Sequence, residues 1–307
     1  MLTSFFGKSS PVNYLIIGML IGIAYLAVHI FGFSPEFNVL NLLKHIFLAG
    51  LAVFMMILLD FIIRKNNLTA RNTYAIFIFA FFLLMVPVIL QNGNMIVAVL
   101  LCLLAFRRIF SLTSDKNIEK KVLDASIWLA LASFFYFYSI LYIVILYYAI
   151  LSTPRVSFRH FFIPPLGLLA VFLLATAYHY MANDSFSWFA DYLPEPEMDF
   201  SAYNSLKLLI PTTIILAIAI WIGVYRILRI SKVKRKQRPN YLIVTLIMLG
   251  SFFIAFIGEV KDGSELLLAL PATAIAVTGF IEKREKVFSR EISLWLIVLI
   301  PLGLLFI

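Results

Sequence analysis

The sequence predicts an all-α fold, a polytopic bundle of transmembrane helices, on three observations. Of the 307 residues, 63% are hydrophobic and only 13% are charged, whereas about a quarter of a soluble domain is charged. Long apolar stretches recur along the chain, and about 20 apolar residues are needed to cross a bilayer. The alternating pattern of a transmembrane β-barrel is absent from the sequence. Because backbone groups in hydrocarbon must be paired within their own segment, helices are expected.

About nine crossings are predicted, in one transmembrane domain covering residues 1–307. The first apolar run is too long for a signal peptide and lacks a cleavage site of small residues, so we expect it to be retained as a helix. The longer predicted spans are 12–33, 40–63, 161–181 and 208–225, and the shorter ones are 74–90, 95–106, 241–258, 266–281 and 292–307.

The orientation follows from the lysines and arginines, which concentrate in alternate gaps between these stretches. With a cytoplasmic N-terminus, 22 of the 25 basic residues lie on the inner side, and only Lys44, Lys207 and Lys261 lie outside. Cytoplasmic loops retain such an excess. We therefore expect a multi-pass protein of the bacterial inner membrane. The net charge of +9 then reflects topology, and no nucleic-acid partner is predicted.

Residues 125–151 do not fit a simple crossing. Their 27 residues would form a helix about 40 Å long, too long for one upright span and too short for two. We expect a re-entrant pair of short helices, near 125–135 and 139–151, with a bend at 135–139. One strongly tilted helix is the alternative.

Two of the segments that connect the predicted spans are too long to be simple turns. In the outer, periplasmic loop 182–206, acidic and aromatic residues are interleaved, a composition that suits a short helix at the membrane interface. The simpler interpretation is an aromatic belt with solvated acidic residues. The functional alternative is a lid or docking surface over an outward-facing site. The cytoplasmic loop 226–240 contains seven basic residues. Each contributes about 1 kcal/mol near an anionic leaflet. An anchor set by the positive-inside rule is the simpler interpretation of this loop.

The order of segments resembles the repeating core of the C-superfamily glycosyltransferases. The resemblance lies in 74–109, the charged linker after it, and 125–136 with 141–151 and a basic turn. Leu-Ala-Leu-Pro-Ala-Thr-Ala at 268–274 resembles their late helix. The whole chain, beginning Ser-Phe-Phe-Gly-Lys-Ser-Ser-Pro-Val-Asn at 4–13, is similar to an uncharacterised family of inner-membrane proteins from Bacteroidota.

This resemblance implies a sugar donor linked to a lipid phosphate, and an acidic residue early in the first outward loop as catalytic base or metal ligand. Only Glu36, in Ser-Pro-Glu-Phe at 34–37, matches that position. The loop in this family is long and usually carries Asp, whereas here it is short and has none. The alternative is that this chain kept the glycosyltransferase fold and lost the activity.

Lys44 and His45 lie in the first turns of the second predicted span, and a cation near the bilayer is a candidate functional residue. Glu36 would accept a proton from an acceptor hydroxyl while Lys44 and His45 hold a lipid phosphate. In the alternative, Lys44 extends to the interface and His45 makes an interhelical hydrogen bond. Further predicted substrate-binding residues are His179, Glu259 and Lys261, and other polar residues of the outer half are His29, Gln91, Asn92, Asn94, Asp262 and Glu265.

Metal and cofactor sites are not predicted. The outer histidines lack a close spacing such as i, i+4, and Cys102 is the only cysteine. Gly18 and Gly22 form a small-xxx-small pattern that packs inside the bundle or against a partner. Asp60 is placed to pair with Arg64 at i, i+4, or to serve a proton path.

Two classes of function follow. The first is a membrane protein related to lipid-linked sugar glycosyltransferases, acting at the outer face of the inner membrane with membrane lipids and a polyprenyl-phosphate-linked sugar as partners. The second is a non-enzymatic subunit or scaffold of cell-envelope machinery, with a protein partner. A deep outer pocket lined by Glu36, Lys44 and His45 would favour the first, and a flat outer face with an exposed apolar stripe at Gly18 and Gly22 the second.

Overall fold

The computed structural model describes residues 2–32, 39–114, 116–154, 156–184, 186–195 and 198–304. This part of the chain is 83% helical and has no strands, which confirms the all-α prediction. The α-helices are α1 Leu2–Phe6, α2 Pro11–Gly32, α3 Val39–Asn66, α4 Tyr74–Met85, α5 Gly93–Phe110, α6 Ile118–Ser133, α7 Ile143–Leu151, α8 Ile163–Asn183, α9 Trp188–Tyr192, α10 Leu206–Leu228, α11 Arg238–Ile257, α12 Leu270–Glu282 and α13 Val287–Leu304.

Seven helical stretches within the described residues are long and apolar enough to cross a membrane. Three shorter apolar helices accompany them, at Tyr74–Met85, Phe137–Leu151 and Leu270–Glu282. Such a set is compatible with a multi-pass membrane protein, and the predicted number of nine crossings stays a prediction. The seven longer stretches are Pro11–His29, Val39–Asn66, Gly93–Ser114, Phe158–Asn183, Leu206–Leu228, Arg235–Ile257 and Val287–Leu304.

The centre of the bundle is formed by α4, α5 and α12. Nearly every residue of α4 and α12 is buried, as expected for helices that are apolar on all sides. The outer helices show the reverse: Leu174 and Met181 of α8 are 73% and 86% exposed. Soluble monomers rarely expose apolar surfaces this large. The exposed apolar side chains therefore agree with helices that contact the hydrocarbon of a membrane.

The basic end of the bundle is where α3 ends and α4 begins, and where α12 ends and α13 begins. The carboxylate of Glu282 accepts hydrogen bonds from Asn72 Nδ2 (2.6 Å) and from the Ala70 backbone N (3.1 Å). Arg64 Nε lies 2.5 Å from Asp60 Oδ2, so the predicted i, i+4 pair of these residues is confirmed. The N-terminal helix α1 is held here too, because the Leu2 backbone N donates to Glu291 Oε1 (2.7 Å).

Residues 118–151 form two antiparallel helical segments with a break at 134–136. Helix α6 ends at Ser133, and a 3₁₀ helix, Phe137–Tyr142, leads into α7. The break overlaps the predicted bend at 135–139. Residues 118–151 therefore do not form one continuous helix, which was the alternative. The Tyr136 hydroxyl donates to Ile254 O (3.3 Å) and Tyr142 bonds Ser251 (2.7 Å), so this arm runs antiparallel to α11.

The described residues of the predicted outer loop 182–206 include two short helices. They are α9 and a 3₁₀ helix, Ser201–Asn204. The Tyr192 hydroxyl at the end of α9 donates to the Ser133 carbonyl oxygen (2.5 Å), and the loop is therefore attached to the bend of the helix pair. This side of the molecule is called the opposite end below.

Candidate functional site

An open cavity of about 620 Å³ lies at the opposite end, between the end of α2, the start of α3 and the start of α5. It is called the histidine cavity here. Its lining combines two imidazoles, one ammonium, one carboxylate and three side-chain amides with the apolar side chains of Phe47, Leu48 and Val97. The lining residues are His29, Lys44, His45, Phe47, Leu48, Gln91, Asn92, Gly93, Asn94, Val97 and Asp262.

Tyr25 organises the two histidines of the cavity. His29 Nδ1 lies 2.9 Å from the Tyr25 carbonyl oxygen, which can only accept, so this nitrogen carries a proton. His45 Nδ1 lies 3.1 Å from the Tyr25 hydroxyl. The two imidazole centroids are 4.5 Å apart. Because Tyr25 is fully buried, it fixes the orientation of both rings.

The other wall of the histidine cavity comes from distant parts of the chain. Asn92 caps α5, accepting from the Met95 backbone N (3.2 Å), and its Nδ2 donates to Ser264 Oγ (3.1 Å). Asp262 Oδ1 accepts from the Ser264 backbone N (2.8 Å). The segment at 262–264 is therefore tied to α5, and it brings a carboxylate to a cavity that also contains the exposed ammonium of Lys44.

Beside the histidine cavity, Lys261 caps the C-terminal end of α11. Its Nζ donates to the carbonyl oxygens of Ala255 (2.8 Å), Phe256 (2.8 Å) and Gly258 (2.7 Å). The last carbonyls of a helix have no partner within it and form its negative end. Lys261 is only 6% exposed, so its charge is stabilised by the backbone that it caps.

Glu265 is the acidic counterpart of Lys261 and is only 1% exposed. Its carboxylate accepts from the Tyr203 hydroxyl (2.5 Å) and from the backbone N of Gly263 (2.8 Å). The pKa of Glu265 is raised to about 7, chiefly by burial and also by the nearby Asp262, whereas the hydrogen bonds from Tyr203 and from the Gly263 backbone N oppose the rise. Gly263 has a φ of +94°, a conformation that favours glycine. Tyr203, Lys261 and Glu265 are called the buried cluster below.

The structure brings some of the predicted site residues together and separates others. Lys44 and His45 share the histidine cavity, whereas Glu36 lies outside the described residues. His179 belongs to another groove and stacks on Trp188 at 4.9 Å between ring centroids. Burial raises the pKa of Glu259. Glu259 and Lys261 are not among the described residues that line the histidine cavity, so their predicted substrate contacts stay predictions.

His179 lines an apolar groove of about 450 Å³ between α6 and α8. Its walls also include Leu131, Phe134, Leu174 and Tyr178. Within the described residues, no group of three or more His, Cys, Asp or Glu side chains is arranged to hold a metal ion. His29, His45 and the Asp262 carboxylate on the other wall of the cavity therefore do not form such a group.

Sequence reasoning missed Tyr25. This residue contributes to the site through its hydroxyl and its carbonyl, both directed at histidines. Its spacing of four residues from His29 places the two rings on one face of a helix, and the rings stack at 4.2 Å. That spacing was the available signal. The contact with His45 depends on how α2 packs on α3 and has no signature in the sequence.

Helices with apolar outer surfaces and a polar cavity at one end define an all-helical protein compatible with a multi-pass membrane location. A model of the DUF6427 family, described as a family of unknown function, matches residues 10–307. The chain therefore belongs to this family. No curated protein and no solved structure matches it.

Proposed function

We propose that this protein spans the bacterial inner membrane with a cytoplasmic N-terminus, and that the histidine cavity holds the phosphate of a lipid-linked sugar at the outer face. The observation that carries the proposal is the convergence of Lys44, His45 and His29 on one cavity. An ammonium and imidazoles that donate hydrogen bonds are suited to phosphate oxygens. The cavity is also large enough for a head group.

The distribution of charge supports this orientation. Most basic residues lie at the ends of helices opposite the histidine cavity, and such an excess is typical of the cytoplasmic side. With three short apolar helices beside the seven longer stretches, we propose about nine crossings and a re-entrant pair formed by α6 and α7. The arrangement would then be of the kind found in C-superfamily glycosyltransferases, as the order of segments suggests.

The proposed reaction is transfer of a sugar from a polyprenyl phosphate to an acceptor hydroxyl. The acceptor oxygen forms a bond to the anomeric carbon, and the bond from that carbon to the phosphate oxygen breaks. The electron pair of the broken bond remains on the phosphate, where Lys44 and His45 stabilise it. The acceptor proton goes to a carboxylate, for which we propose Glu36.

Native mass spectrometry of the gently purified protein tests the binding step. We expect a polyprenyl-phosphate lipid to remain bound to the wild type and to be lost from the variant with Lys44→Ala and His45→Ala. Lys207→Ala is the matched control, because Lys207 is an exposed lysine at the start of α10 and is not among the cavity residues. Retention of the lipid by the double variant would contradict the proposal, and its specific loss would justify an assay of Glu36→Gln.

A second candidate, a non-enzymatic subunit of envelope machinery, is favoured by one observation on α2. Gly18 packs inside the bundle, where an added Cβ would lie 3.4 Å from Val53 Cγ1, but Gly22 has no atom within 4 Å of such a Cβ. A partner helix could approach closely at Gly22. Under this alternative, Gly22→Leu releases a stoichiometric partner, whereas Gly50→Leu, at an equally open glycine, retains it.

A further inference from the structure

Three cations converge at the basic end, where α10, α11 and α12 meet. At the centre is Arg226, which is only 5% exposed. Its Nε donates to Thr245 Oγ1 (2.9 Å) and its Nη2 to the Tyr241 carbonyl oxygen (2.7 Å). The guanidinium carbon lies 3.8 Å from the centroid of the Tyr241 ring. Arg226 is therefore fixed in place by neutral groups.

Two exposed cations flank Arg226. Lys283 Nζ lies 5.2 Å from the centroid of the same Tyr241 ring, and the Arg229 guanidinium lies 4.8 Å from that of Tyr225. The pKa of Lys283 is lowered, first by burial and then by the charges of Arg226 and Arg229. The three side chains are thus close enough to repel one another, and the aromatic rings hold them in place. Arg226, Arg229 and Lys283 are called the basic triad below.

Glu282 offsets only part of this charge, because it raises the pKa of Lys283 by less than Arg226 and Arg229 lower it. Glu282, next to Lys283 in sequence, accepts from Asn72 Nδ2 (2.6 Å) and the Ala70 backbone N (3.1 Å). The two ion pairs of the described residues join Arg64 to Asp60 and Arg108 to Asp124. The basic triad therefore carries a local excess of positive charge. Gathering like charges costs free energy, and a bound anion removes that cost.

A polar atom next to the basic triad also lacks a partner. The Tyr241 hydroxyl is buried and has no hydrogen-bond partner among the described residues. Such buried donors are rare in folded proteins, and each needs an explanation. It belongs to the residue whose ring contacts both Arg226 and Lys283, so a ligand held by the triad would lie near it.

We infer that the basic triad binds the phosphate group of an anionic ligand, with Arg229 and Lys283 as its direct contacts and Arg226 behind them. The apolar side chains of Ile227 and Leu228 are exposed beside the triad and would contact acyl chains. An anionic phospholipid head group fits this combination, and free phosphate shares the same chemistry. This site lies at the end of the molecule opposite the histidine cavity and does not depend on the proposed function.

The experiment measures lipid binding to the full-length protein in detergent by native mass spectrometry. Dioleoyl phosphatidylglycerol, dioleoyl phosphatidylcholine and inorganic phosphate are added in separate arms. We expect the variant with Arg229→Gln and Lys283→Gln to bind phosphatidylglycerol about tenfold more weakly than the wild type. The matched control combines Lys234→Gln with Lys236→Gln, which removes the same charge from two exposed lysines of the loop that contains Arg229 and should leave binding unchanged.

The arms separate the outcomes. Preference for phosphatidylglycerol over phosphatidylcholine, lost only in the triad variant, supports a lipid site, whereas phosphate binding with the same loss and no lipid preference supports a site for free phosphate. Equal weakening in the triad variant and the control would overturn the inference, because it would indicate diffuse attraction to the whole loop. A charge-preserving variant, Arg229→Lys with Lys283→Arg, should retain binding and excludes misfolding as the cause of the loss.

Discussion

The histidine cavity and the buried cluster lie side by side at the same end of the molecule but treat similar residues in opposite ways. In the cavity, Lys44 is exposed, and the imidazoles of His29 and His45 border open space. In the cluster, the ammonium of Lys261 faces three backbone carbonyls, and the carboxylate of Glu265 accepts from two donors. The comparison teaches that burial and backbone partners distinguish a lysine that stabilises the fold from one that stays accessible to a ligand.

Lys261→Met should give the largest effect on stability. It removes three hydrogen bonds from a charged donor and leaves carbonyls at the end of α11 without that partner. The expected cost is about 4 kcal/mol in the free energy of unfolding. Thermal unfolding in detergent measures it. The control variant Lys207→Met, at an exposed lysine, should leave the melting temperature nearly unchanged. Equal melting temperatures for the two variants would show that Lys261 does not stabilise the fold.

Glu265 should make stability depend on pH. Its pKa rises from an ordinary 4.5 to about 7 on folding, so the folded state holds a proton that the unfolded state releases. The stabilisation is fully present below pH 4.5 and is lost as the pH rises to about 7, by at most about 3 kcal/mol. We expect the melting temperature of the wild type to fall more between pH 5 and pH 8 than that of Glu265→Gln.

Glu195→Gln is the matched control for this pH dependence, because Glu195 is exposed at the same end of the molecule. It should keep the wild-type decline, since the substitution leaves Glu265 and its two donors in place. An identical decline in wild type and Glu265→Gln would mean that other groups cause it.

Tyr203→Phe should have a smaller effect, about 1.5 kcal/mol at pH 8, because it removes one of the two donors to the Glu265 carboxylate. The hydroxyl of Tyr203 lowers the pKa of Glu265. Its loss should therefore move the pH-dependent decline in stability to higher pH. Melting curves from pH 5 to pH 9 test both effects. Tyr178→Phe, at an exposed tyrosine, should change neither the stability nor the position of the decline.

Much of the helical architecture could be predicted because length and hydropathy are local properties. A bend at 135–139 was predicted from a helix length that fits no single crossing, and the break in the structure lies at 134–136. The start of α6 was missed: the residues before 125 were assigned to a charged linker, but the helix begins at Ile118. In the structure Asp124 pairs with Arg108 at 2.7 Å and Lys121 donates to the Ser111 carbonyl oxygen at 2.6 Å, so these charges are stabilised within the helical structure.

The site was harder to predict than the fold, because it depends on which elements meet. Asp262 and Asn92 approach Lys44 through the bond from Asn92 to Ser264, a contact across 172 residues that no local pattern encodes. The role of Lys261 had a usable signal: it closely follows Gly258, which ends α11. Basic residues just past a helix end commonly bond its last carbonyls, whereas Lys44 lies near the start of its helix.

The smallest expected change in stability tests the comparison most directly. Lys44→Met removes the same charge as Lys261→Met, but from an exposed position at the edge of the histidine cavity, so its effect on the free energy of unfolding should stay below about 0.5 kcal/mol. Thermal unfolding of the two variants under identical conditions gives the difference. If Lys44→Met destabilised the protein as much as Lys261→Met, both lysines would be structural, and this would contradict the role of Lys44 in the proposed phosphate binding. A stable Lys44→Met protein, by contrast, allows any loss of lipid binding to be attributed to the cavity itself.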